Sequence, residues 1–330
     1  MPVTEDDGTV HELYVWVGED KSNGHSGNCV AVYTSEDLYT WEFRGDVLRS
    51  VPDREALDTD EYFTALYAGS TEEELDHIYD CIGVEKVMER PKMLYNEKTG
   101  KYVIWFHNDY STDKNSYMYD VGMAGVAVSD SAFGPFKFID RYRLSQCPSG
   151  QIDCFPSSKG EARDMNLFKD DDGTGYIVYT SENNKTLYIS RLNDEYTFLS
   201  ADPEEAVYGV DYIRIFPGAM REAPVLIKNS GRYYLMSSST TGWASNEARV
   251  WSADEIFGKW KNDGNPCSGS GGVIAFNTQS TSLFYAPNGQ CIYYGDRWNG
   301  DELYDSRYVW LPVSFDNGKM TITWADEWSY

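Results

Sequence analysis

Short apolar and aromatic runs recur along the chain, and each one follows a turn that contains glycine. The runs lie at residues 12–18, 102–107, 175–180, 233–238 and 291–295, and the turns before them carry Gly8, Gly100, Gly173, Gly231 and Gly289. A glycine turn followed by β-branched and aromatic residues is typical of entry into a β-strand. The pattern therefore predicts five repeated units that each contain such a strand.

Further strand-like segments accompany these runs and complete each unit. They precede the turn at 90–95, 163–168, 222–227 and 281–285, follow the run at 29–33, 125–128, 186–190, 248–252 and 308–312, and close the unit at 41–43, 136–139, 197–199, Trp260 and 320–324. Four antiparallel strands in five repeats predict an all-β fold, a five-bladed β-propeller that takes in residues 1–330 as a single domain. A β-sandwich whose glycine turns recur by chance is the alternative.

Two places depart from the repeat. The first unit has no strand before its turn, so we expect the first blade to lack its inner strand and a central site to lack one wall. Residues 52–85 are acidic, carry a helical pattern at 71–79, and separate the first two units. This insertion is either a lid over a site or a surface elaboration.

The charge of the chain argues against several functions. The formal net charge of −25 disfavours nucleic-acid binding, because phosphate contacts need Lys and Arg. Like-charge repulsion also disfavours polyanionic polymers, whereas a neutral polymer is compatible, and the acidity can equally serve solubility alone. No run of 18 apolar residues is present in the sequence, so we expect no membrane span.

The start of the chain and its cysteines bear on location. Residues 1–7 are polar and acidic, unlike a signal peptide, which needs a basic start and an apolar stretch. We expect a secreted protein whose signal peptide is not part of this chain, and a protein that stays inside the cell is the alternative. The six cysteines fit an oxidising compartment or six cytosolic thiols. The candidate disulfides are Cys147 with Cys154 and Cys267 with Cys291.

We expect no metal or cofactor. The four histidines show no ligand spacing, and the sequence has no C-x-x-C pair, P-loop or dinucleotide motif. A structural Ca²⁺ is not indicated either. His107 follows a predicted strand, where it is either a hydrogen-bonded structural residue or a group that faces the site.

Three predicted strands begin with a carboxylate beside an arginine. The pairs are Glu89 with Arg90, Asp164 with Arg163, and Glu222 with Arg221. A charge next to a buried strand is costly unless it is paired or lies in a cleft. Each carboxylate is therefore either in an ion pair with its neighbour or part of one acidic site, and recurrence in three units favours the site. Paired carboxylates are the groups that glycosidic hydrolysis uses.

Eight segments from about residue 86 to the end share the pattern of a known family. They are ERPKMLYN at 89–96, GVAVSDSAFGPF at 125–136, RDMNLF at 163–168 with DDDGTGYIVY after it, EAPVLI at 222–227, TTGWASN at 240–246, FNTQS at 276–280, YGDRWN at 294–299 and YVWLP at 308–312. On these segments the chain resembles glycoside hydrolase family 43, in particular its exo-β-1,3-galactanase (galactan 1,3-β-galactosidase) branch. YGDRWN together with TTGW is the most specific part of the resemblance.

The resemblance implies an inverting, exo-acting enzyme that releases galactose from β-1,3-galactan, the main chain of type II arabinogalactan. Carried over by position, Glu222 is the general acid and Asp164 orients it. Most of the family uses an Asp of the first inner strand as the base, whereas this branch uses a Gln, and Gln279 matches that position. An amide is a poor base, so Gln279 would position the attacking water.

The resemblance also implies a set of sugar-binding and pocket-lining residues. They are Glu19, Glu89, Tyr119 (with Tyr117 as a competing match), Thr240, Gly242 and Asn246. The chain departs from the family at its missing first inner strand and at the insertion 52–85. The alternatives are another family 43 exo-glycosidase, either an α-L-arabinofuranosidase or a β-xylosidase, and a propeller that binds galactan without cleaving it. We expect a polysaccharide or oligosaccharide substrate and a monomeric protein.

Overall fold

Most strands of this protein pair antiparallel with the next strand along the chain, so the sheets are built from successive hairpins. The computed structural model describes residues 1–5, 7–22, 28–112, 119–155 and 159–330. Contacts between residues group the chain into two units, Met1–Leu144 with Asn193–Phe198 and Ser145–Leu192 with Leu199–Tyr330.

The first unit contains blades 1 and 2. Blade 1 consists of β1 (Pro2–Thr4), β2 (Val10–Glu12), β3 (Tyr14–Glu19), β4 (Cys29–Ser35) and β5 (Glu42–Arg49). Blade 2 consists of β6 (Val87–Asn96), β7 (Lys101–Asp109), β8 (Met123–Ser129) and β9 (Lys137–Tyr142). Between the blades lie three helices, α1 (Ala56–Thr59), α2 (Glu61–Leu66) and α3 (Glu72–Ile82).

The second unit contains blades 3, 4 and 5. Blade 3 consists of β10 (Met165–Lys169), β11 (Gly175–Ser181), β12 (Thr186–Arg191) and β13 (Tyr212–Ile215). Blade 4 consists of β14 (Arg221–Asn229), β15 (Arg232–Ser239), β16 (Arg249–Ala253) and β17 (Lys261–Gly264). Blade 5 consists of β18 (Cys267–Ser268), β19 (Gln279–Tyr285), β20 (Cys291–Arg297), β21 (Arg307–Asp316) and β22 (Lys319–Thr323), with β18 parallel to β22. Short 3₁₀ turns lie at Gly272–Ile274 and Leu303–Asp305.

Three four-stranded sheets, one five-stranded sheet, and a first blade divided into a three-stranded and a two-stranded sheet are the arrangement of a five-bladed β-propeller, and the predicted fold class is confirmed. The second strand of a blade is buried on both faces, which is why β7 and β11 have continuous apolar and aromatic sequences. In blade 2, Gly125 lies opposite Phe106, and a Cβ at Gly125 would come within 2.3 Å of the Phe106 ring. The glycine therefore makes room for the ring.

The start of the chain needs one correction to the expectation. A strand does precede the first turn, because β1 pairs with β2 and the Leu13 N–H donates to the Met1 carbonyl. Beyond Leu13 the chain continues as β3, which pairs with β4 on one side. Within the described ranges, no strand pairs with the other edge of β3. Blade 1 thus has a short first strand, β1, which covers β2 only. In the described residues, β3 has no neighbour on that side.

The last strand of blade 3 also differs from the prediction. It is β13 at Tyr212–Ile215 and not residues 197–199. The N–H groups of Thr197 and Phe198 donate instead to the side-chain oxygen of Asn193, at 2.9 and 3.3 Å. An asparagine that bonds nearby backbone in this way holds a turn, which competes with strand pairing.

The predicted helix in the insertion is present as α3. Thr71 caps it by accepting a hydrogen bond from the Glu74 N–H, and the Glu74 carboxylate accepts one from the Thr71 N–H. Its buried face, which includes Leu75 and Ile78, shares one apolar core with blades 1 and 2. Of the helices in the described part of the chain, none is long and apolar enough to cross a bilayer. The assignment of residues 1–330 to a single catalytic domain stays a prediction.

The two candidate disulfides have different outcomes. Cys147 and Cys154 form a disulfide, with their Cα atoms 5.9 Å apart. The pairing of Cys267 with Cys291 is wrong, since both are buried free thiols. Cys267 lies on β18 and Cys291 on β20, with β22 and β21 between them. Three strand spacings amount to about 14 Å, more than twice the span of a disulfide.

Candidate active site

Four residues predicted from the sequence occupy equivalent positions, at or just before the beginning of the first long strand of blades 2 to 5. Each faces a residue of the neighbouring strand in the pairs Glu89 with His107, Asp164 with Thr180, Glu222 with Ser238, and Gln279 with Asp296. One place in the repeat therefore carries a carboxylate in three blades and an amide in the fourth. What distinguishes these positions is the cross-strand partner.

A β-bulge follows Glu89 and Glu222 directly. The next residue in each case, Arg90 or Ala223, has a φ of 51°, in the left-handed region that non-glycine residues rarely adopt. A proline comes after it in both blades. A bulge bends its strand and changes the direction of nearby side chains, and such strained positions are common beside functional sites. In both blades, the Glu-x-Pro sequence thus coincides with the β-bulge that interrupts the regular strand pairing.

The first unit gathers charged groups around Glu89, which we call the Glu89 cluster: Glu19, Lys21, Glu89, His107, Asp109 and Tyr119. Oε1 of Glu89 accepts hydrogen bonds from Lys21 Nζ and from the Tyr119 hydroxyl, both at 2.6 Å. His107 Nδ1 lies 3.6 Å from Oε2 of Glu89, an ion-pair contact longer than a hydrogen bond. Tyr119 stacks on the His107 ring, with centroids 5.8 Å apart. The structure therefore brings the predicted Glu89 and Tyr119 into direct contact.

The remaining members complete the charge balance of the Glu89 cluster. Nζ of Lys21 lies 3.3 Å from Oε2 of Glu19, at the end of β3. His107 Nε2 lies 3.0 Å from Asp109 Oδ2. Three carboxylates around two cations give the cluster a net charge of −1 when all are ionised. Such a cluster offers negative oxygen atoms to hydroxyl donors, which is the chemistry of sugar binding.

Burial and charge act against each other on the pKa values of the Glu89 cluster. Burial alone would raise the pKa of Glu89, but Lys21 and His107 outweigh it and hold that pKa well below its usual range. Burial would lower the pKa of His107, but Asp109 and Glu89 raise it to about 9. Burial would likewise lower the pKa of Lys21, yet Glu19 and Glu89 raise it. Glu89 is therefore a permanent anion and His107 a cation at neutral pH.

The second unit gathers a different set of groups, the Glu222 cluster: Asp164, Asn184, Glu222, Ser238, Gln279 and Trp298. The Gln279 amide Nε2 donates to Oε1 of Glu222 at 3.1 Å and to the Ser238 hydroxyl at 3.0 Å. Asn184 Nδ2 lies 3.5 Å from Oε2 of Glu222. The structure thus places the predicted acid and the predicted water-positioning amide in hydrogen-bond contact.

Trp298 settles which way the Gln279 amide points. Its indole N–H donates to Oε1 of Gln279 at 2.8 Å, so the amide nitrogen faces Glu222 and the amide oxygen faces Trp298. The reverse orientation would set one donor against another at Trp298. Trp298 is itself packed edge-on against Trp243, with ring centroids 4.9 Å apart.

Asp164 holds the backbone beside the acid. Its Oδ2 accepts a hydrogen bond from the Ala223 N–H at 3.1 Å, and the Ser280 hydroxyl donates to the Ala223 carbonyl at 2.6 Å. The bulge after Glu222 is therefore fixed by side chains from blades 3 and 5. Asp164 thus contacts the residue that follows Glu222, and its orienting role stays a prediction.

The loop at 240–246 borders the Glu222 cluster. Asn246 uses its side chain to hold the loop: Oδ1 accepts from the Ser239 N–H, and Nδ2 donates to the Ser239 carbonyl and to the Thr241 hydroxyl, at 2.7–2.8 Å. Gly242 has a φ of 59° and borders a small cleft with Asn246 and Gln279. The cleft lining includes Gly242 and Asn246 but not Thr240, which is half-buried in the same loop.

The alternative of ion pairs between neighbours in sequence is not realised at Glu89 or Glu222. Glu89 binds Lys21 and Tyr119 as described. The guanidinium of Arg221 donates to Ser237, Ser239 and the Glu247 carbonyl instead of to Glu222. Arg163 lies 3.8 Å from Glu161.

His107 is buried and hydrogen-bonded to Asp109, as one of its two interpretations predicted. Tyr117 lies outside the described residues.

Five members of these clusters were not singled out by the sequence: Lys21, Asp109, Asn184, Ser238 and Trp298. Lys21 stands two residues after Glu19, and no spacing rule connects it to Glu89. Ser238 is one of three consecutive serines, 237–239, at the end of a predicted strand. Trp298 did carry a signal, since it belongs to the YGDRWN segment, which is the most specific part of the resemblance.

A model of the glycosyl hydrolases family 43 matches residues 91–291 of this chain. The chain belongs to this family. It is therefore a glycoside hydrolase, as the sequence predicts. The matched range contains Asp164, Glu222 and Gln279 and stops short of Trp298.

Solved structures point to one branch of family 43. A GH43 β-1,3-galactosidase solved with galactodeoxynojirimycin is 32% identical to this chain, with a TM-score of 0.77 over 100% of this chain and 99% of that one. An exo-β-1,3-galactanase from Phanerochaete chrysosporium, solved with β-1,3-galactotriose, is 28% identical, with a TM-score of 0.70 over 98% of this chain and 65% of that one. A putative exo-β-1,3-galactanase from Bifidobacterium bifidum is 25% identical, with a TM-score of 0.70 over 99% and 96%. These similarities support the exo-β-1,3-galactanase branch.

A curated relative has a different named activity. It is a β-D-galactofuranosidase from Aspergillus niger, 27% identical over 161 residues, which are 48% of this chain and 44% of the relative. This chain thus spans less than half of the length of that relative. The shared part supports the family and leaves the choice of sugar ring open.

Proposed function

We propose that this family 43 enzyme releases galactose from the end of β-1,3-galactan, the main chain of type II arabinogalactan, with inversion at the anomeric carbon. The observation that carries the proposal is the contact between Glu222 and the Gln279 amide, held in one orientation by Trp298. The named activities of the similar solved structures, β-1,3-galactosidase and exo-β-1,3-galactanase, supply the sugar and the linkage.

Glu222 acts as the general acid in this proposal. Gln279 Nε2 donates to Oε1 at 3.1 Å, whereas Asn184 Nδ2 is 3.5 Å from Oε2, so the proton of Glu222 is assigned to Oε2, the oxygen with the longer and weaker contact. Oε2 then hands its proton to the glycosidic oxygen as the bond to the anomeric carbon breaks. Asp164 keeps this oxygen in place through Ala223, since movement of the bulge would move the carboxyl group.

Gln279 positions the attacking water. Its Oε1 accepts one hydrogen bond from Trp298 and, having two lone pairs, retains acceptor capacity for a water proton. An amide is too weak a base to keep that proton, so the proton passes to solvent as the water oxygen bonds to the anomeric carbon. The cleft beside Gln279, about 10 Å³ in volume, is the size of about one water molecule.

The sugar-binding roles follow from the remaining geometry. Glu89 and Glu19 present buried carboxylate oxygens as acceptors for hydroxyl groups of the terminal galactose, and Tyr119 fixes Glu89 and offers its ring. Gly242 lines the pocket where a side chain would project. Thr240 contributes its hydroxyl, and Asn246 acts by holding the loop.

Product analysis tests the proposal. The enzyme is incubated with β-1,3-galactan and with β-1,4-galactan as the linkage control, and the products are followed by anomeric NMR from the first minutes. We expect galactose from the β-1,3 polymer only, appearing first as the α-anomer. The first product appearing as the β-anomer would overturn inversion. Binding of the β-1,3 polymer without product would establish a non-catalytic galactan-binding protein instead.

A furanosidase is the second candidate, favoured by the galactofuranosidase among the relatives. Family 43 arabinofuranosidase and β-xylosidase activities belong to the same test. The 4-nitrophenyl glycosides of β-galactofuranose, α-L-arabinofuranose and β-xylose are compared with β-1,3-galactobiose. We expect turnover of the galactobiose, and a furanoside or xyloside turned over at a higher kcat/KM would replace the proposal.

A further inference from the structure

Three side chains with metal-binding atoms meet where the inserted helix α3 packs on β9 of blade 2. They are His77 and Cys81 on α3 and Asp140 on β9, and one ligand atom from each lies within 4.8 Å of the others. His77 Nε2 is 2.8 Å from Asp140 Oδ1 and 3.5 Å from Cys81 Sγ. All three residues belong to the first unit, and none is part of the Glu89 cluster.

The helix arranges two of these groups. Residues four apart lie on the same face of an α-helix, so His77 and Cys81 both project towards β9. Cys81 is fully buried, whereas the side chains of His77 and Asp140 are 49% and 41% exposed. His77 also borders an open surface cleft of about 810 Å³. The group therefore has a buried sulfur, two exposed ligands and a path from solvent.

Nearby cations do not occupy these ligand atoms. Arg141, which follows Asp140, pairs with the Asp80 carboxylate and lies over the Tyr110 ring. Lys86 lies 3.5 Å from Asp80 and over the same ring. Both cations are thus engaged by Asp80 and Tyr110.

We propose that His77, Cys81 and Asp140 form a Zn²⁺ site that fastens the inserted helix to blade 2. Nitrogen, sulfur and carboxylate oxygen together are a ligand set for Zn²⁺, whereas Ca²⁺ and Mg²⁺ take oxygen ligands. In a tetrahedral Zn²⁺ site neighbouring ligand atoms lie about 3.3–3.7 Å apart, given metal–ligand distances of about 2.0–2.3 Å. The separation of His77 Nε2 from Cys81 Sγ fits, and that of Nε2 from Asp140 Oδ1 must widen by about 0.5 Å. Water completes the coordination on the exposed side.

Zinc titration of the intact protein tests the site. The protein is stripped with EDTA, handled without oxygen so that Cys81 stays a thiol while the Cys147–Cys154 disulfide stays intact, and titrated with Zn²⁺ by calorimetry, with native mass spectrometry for the count. We expect one equivalent to bind, and Cys81→Ala, His77→Ala and Asp140→Asn each to weaken binding tenfold or more. Cys267→Ala, which removes a buried free thiol of the second unit, is the matched control and keeps the wild-type affinity.

Two further readouts separate ligation from a packing contact. Co²⁺ should give a thiolate charge-transfer band with the wild type and not with Cys81→Ala. Zn²⁺ should raise the melting temperature of the wild type by a few degrees and leave Asp140→Asn, an exposed and fold-tolerant change, unaffected. Stoichiometric binding that survives Cys81→Ala, or no binding at one equivalent, would overturn the proposal and leave these residues as a hydrogen-bonded helix contact.

Discussion

Glu89 and Glu222 occupy the same place in blades 2 and 4 and differ in what faces them across the sheet. Both stand before a left-handed residue and a proline, and both precede a bulge. The cross-strand partner is His107 in blade 2 and Ser238 in blade 4. At the same backbone position, Glu89 thus faces the cation His107 and Glu222 faces the hydroxyl group of Ser238.

The neighbours of each glutamate extend this contrast. Lys21 and His107 hold Glu89 as an anion, with the pKa far below its ordinary value despite burial. Gln279 and Ser238 form a neutral hydrogen-bonded network at Glu222. A group that never takes up a proton suits the binding of hydroxyl groups, whereas a general acid must exchange one. The repeated blade therefore places both glutamates at the same position, and we infer that the residue across the sheet determines the role of each one.

The same substitution at the two glutamates should separate activity from stability, with the largest effect at Glu222. Glu222→Gln removes the transferable proton and keeps an acceptor for Gln279 Nε2. We expect kcat on β-1,3-galactan to fall about 10²–10⁴-fold. The melting temperature should stay within about 2 °C of wild type. Glu204→Gln, an exposed glutamate in the same unit, is the control. Retained activity in Glu222→Gln would remove Glu222 from the acid role.

Glu89→Gln should cost stability, because it leaves Lys21 and His107 buried with less negative charge. We expect the free energy of unfolding to fall by up to about 3–5 kcal/mol, measured by urea denaturation. A Lys21→Met/Glu89→Gln double variant should lose at least about 1 kcal/mol less than the two single changes added together. Additive losses would mean that Lys21 and Glu89 do not stabilise each other.

Much of this comparison is visible in the sequence. The glycine turns and strand runs predict the blades, and Glu89, Asp164 and Glu222 are predicted as equivalent positions because each precedes an apolar run. The partner of each glutamate is not visible, because the bulges change the register. In the hairpin of blade 2, Lys92 pairs with Trp105, and regular pairing would continue to Glu89 with Asn108. The bulge gives His107 instead, and a slip of one residue exchanges the two faces of a strand.

Other contacts that the sequence does not reveal also depend on long-range pairing. Cys267 and Cys291 are near each other in sequence, yet two strands lie between them because β18 joins blade 5 beside β22. Lys21 reaches Glu89 from 68 residues away. His77 and Cys81 do show a helical spacing, but a search for histidine pairs or C-x-x-C overlooks a mixed pair, and Asp140 is 63 residues from His77. Local patterns carry no information on such contacts.

The cation beside Glu89 should make stability depend on pH. His107 has a pKa raised to about 9 by Asp109 and Glu89 against the effect of burial, so the native state keeps a proton that an unfolded histidine releases near pH 6.5. This stabilisation is complete below about pH 6.5 and is lost as pH rises through about 9. We expect the free energy of unfolding to fall by roughly 2–3 kcal/mol across that window. His107→Gln should flatten the dependence, and His11→Gln, at an exposed histidine, should not.

The orientation of Gln279 is the smallest difference in the comparison, since it presents the amide N–H, and not the amide oxygen, to Glu222. Trp298→Phe removes the indole N–H that fixes the amide oxygen and keeps a ring to pack on Trp243. An amide able to rotate holds the water less well, so we expect kcat on β-1,3-galactan to fall about tenfold, near 1.4 kcal/mol, with KM and the melting temperature little changed. Trp328→Phe removes an indole hydrogen bond to the Trp310 carbonyl outside the cluster and should leave kcat unchanged. A rise in KM at constant kcat would place Trp298 in sugar binding, and the Gln279 amide would then be oriented by Glu222 and Ser238 alone.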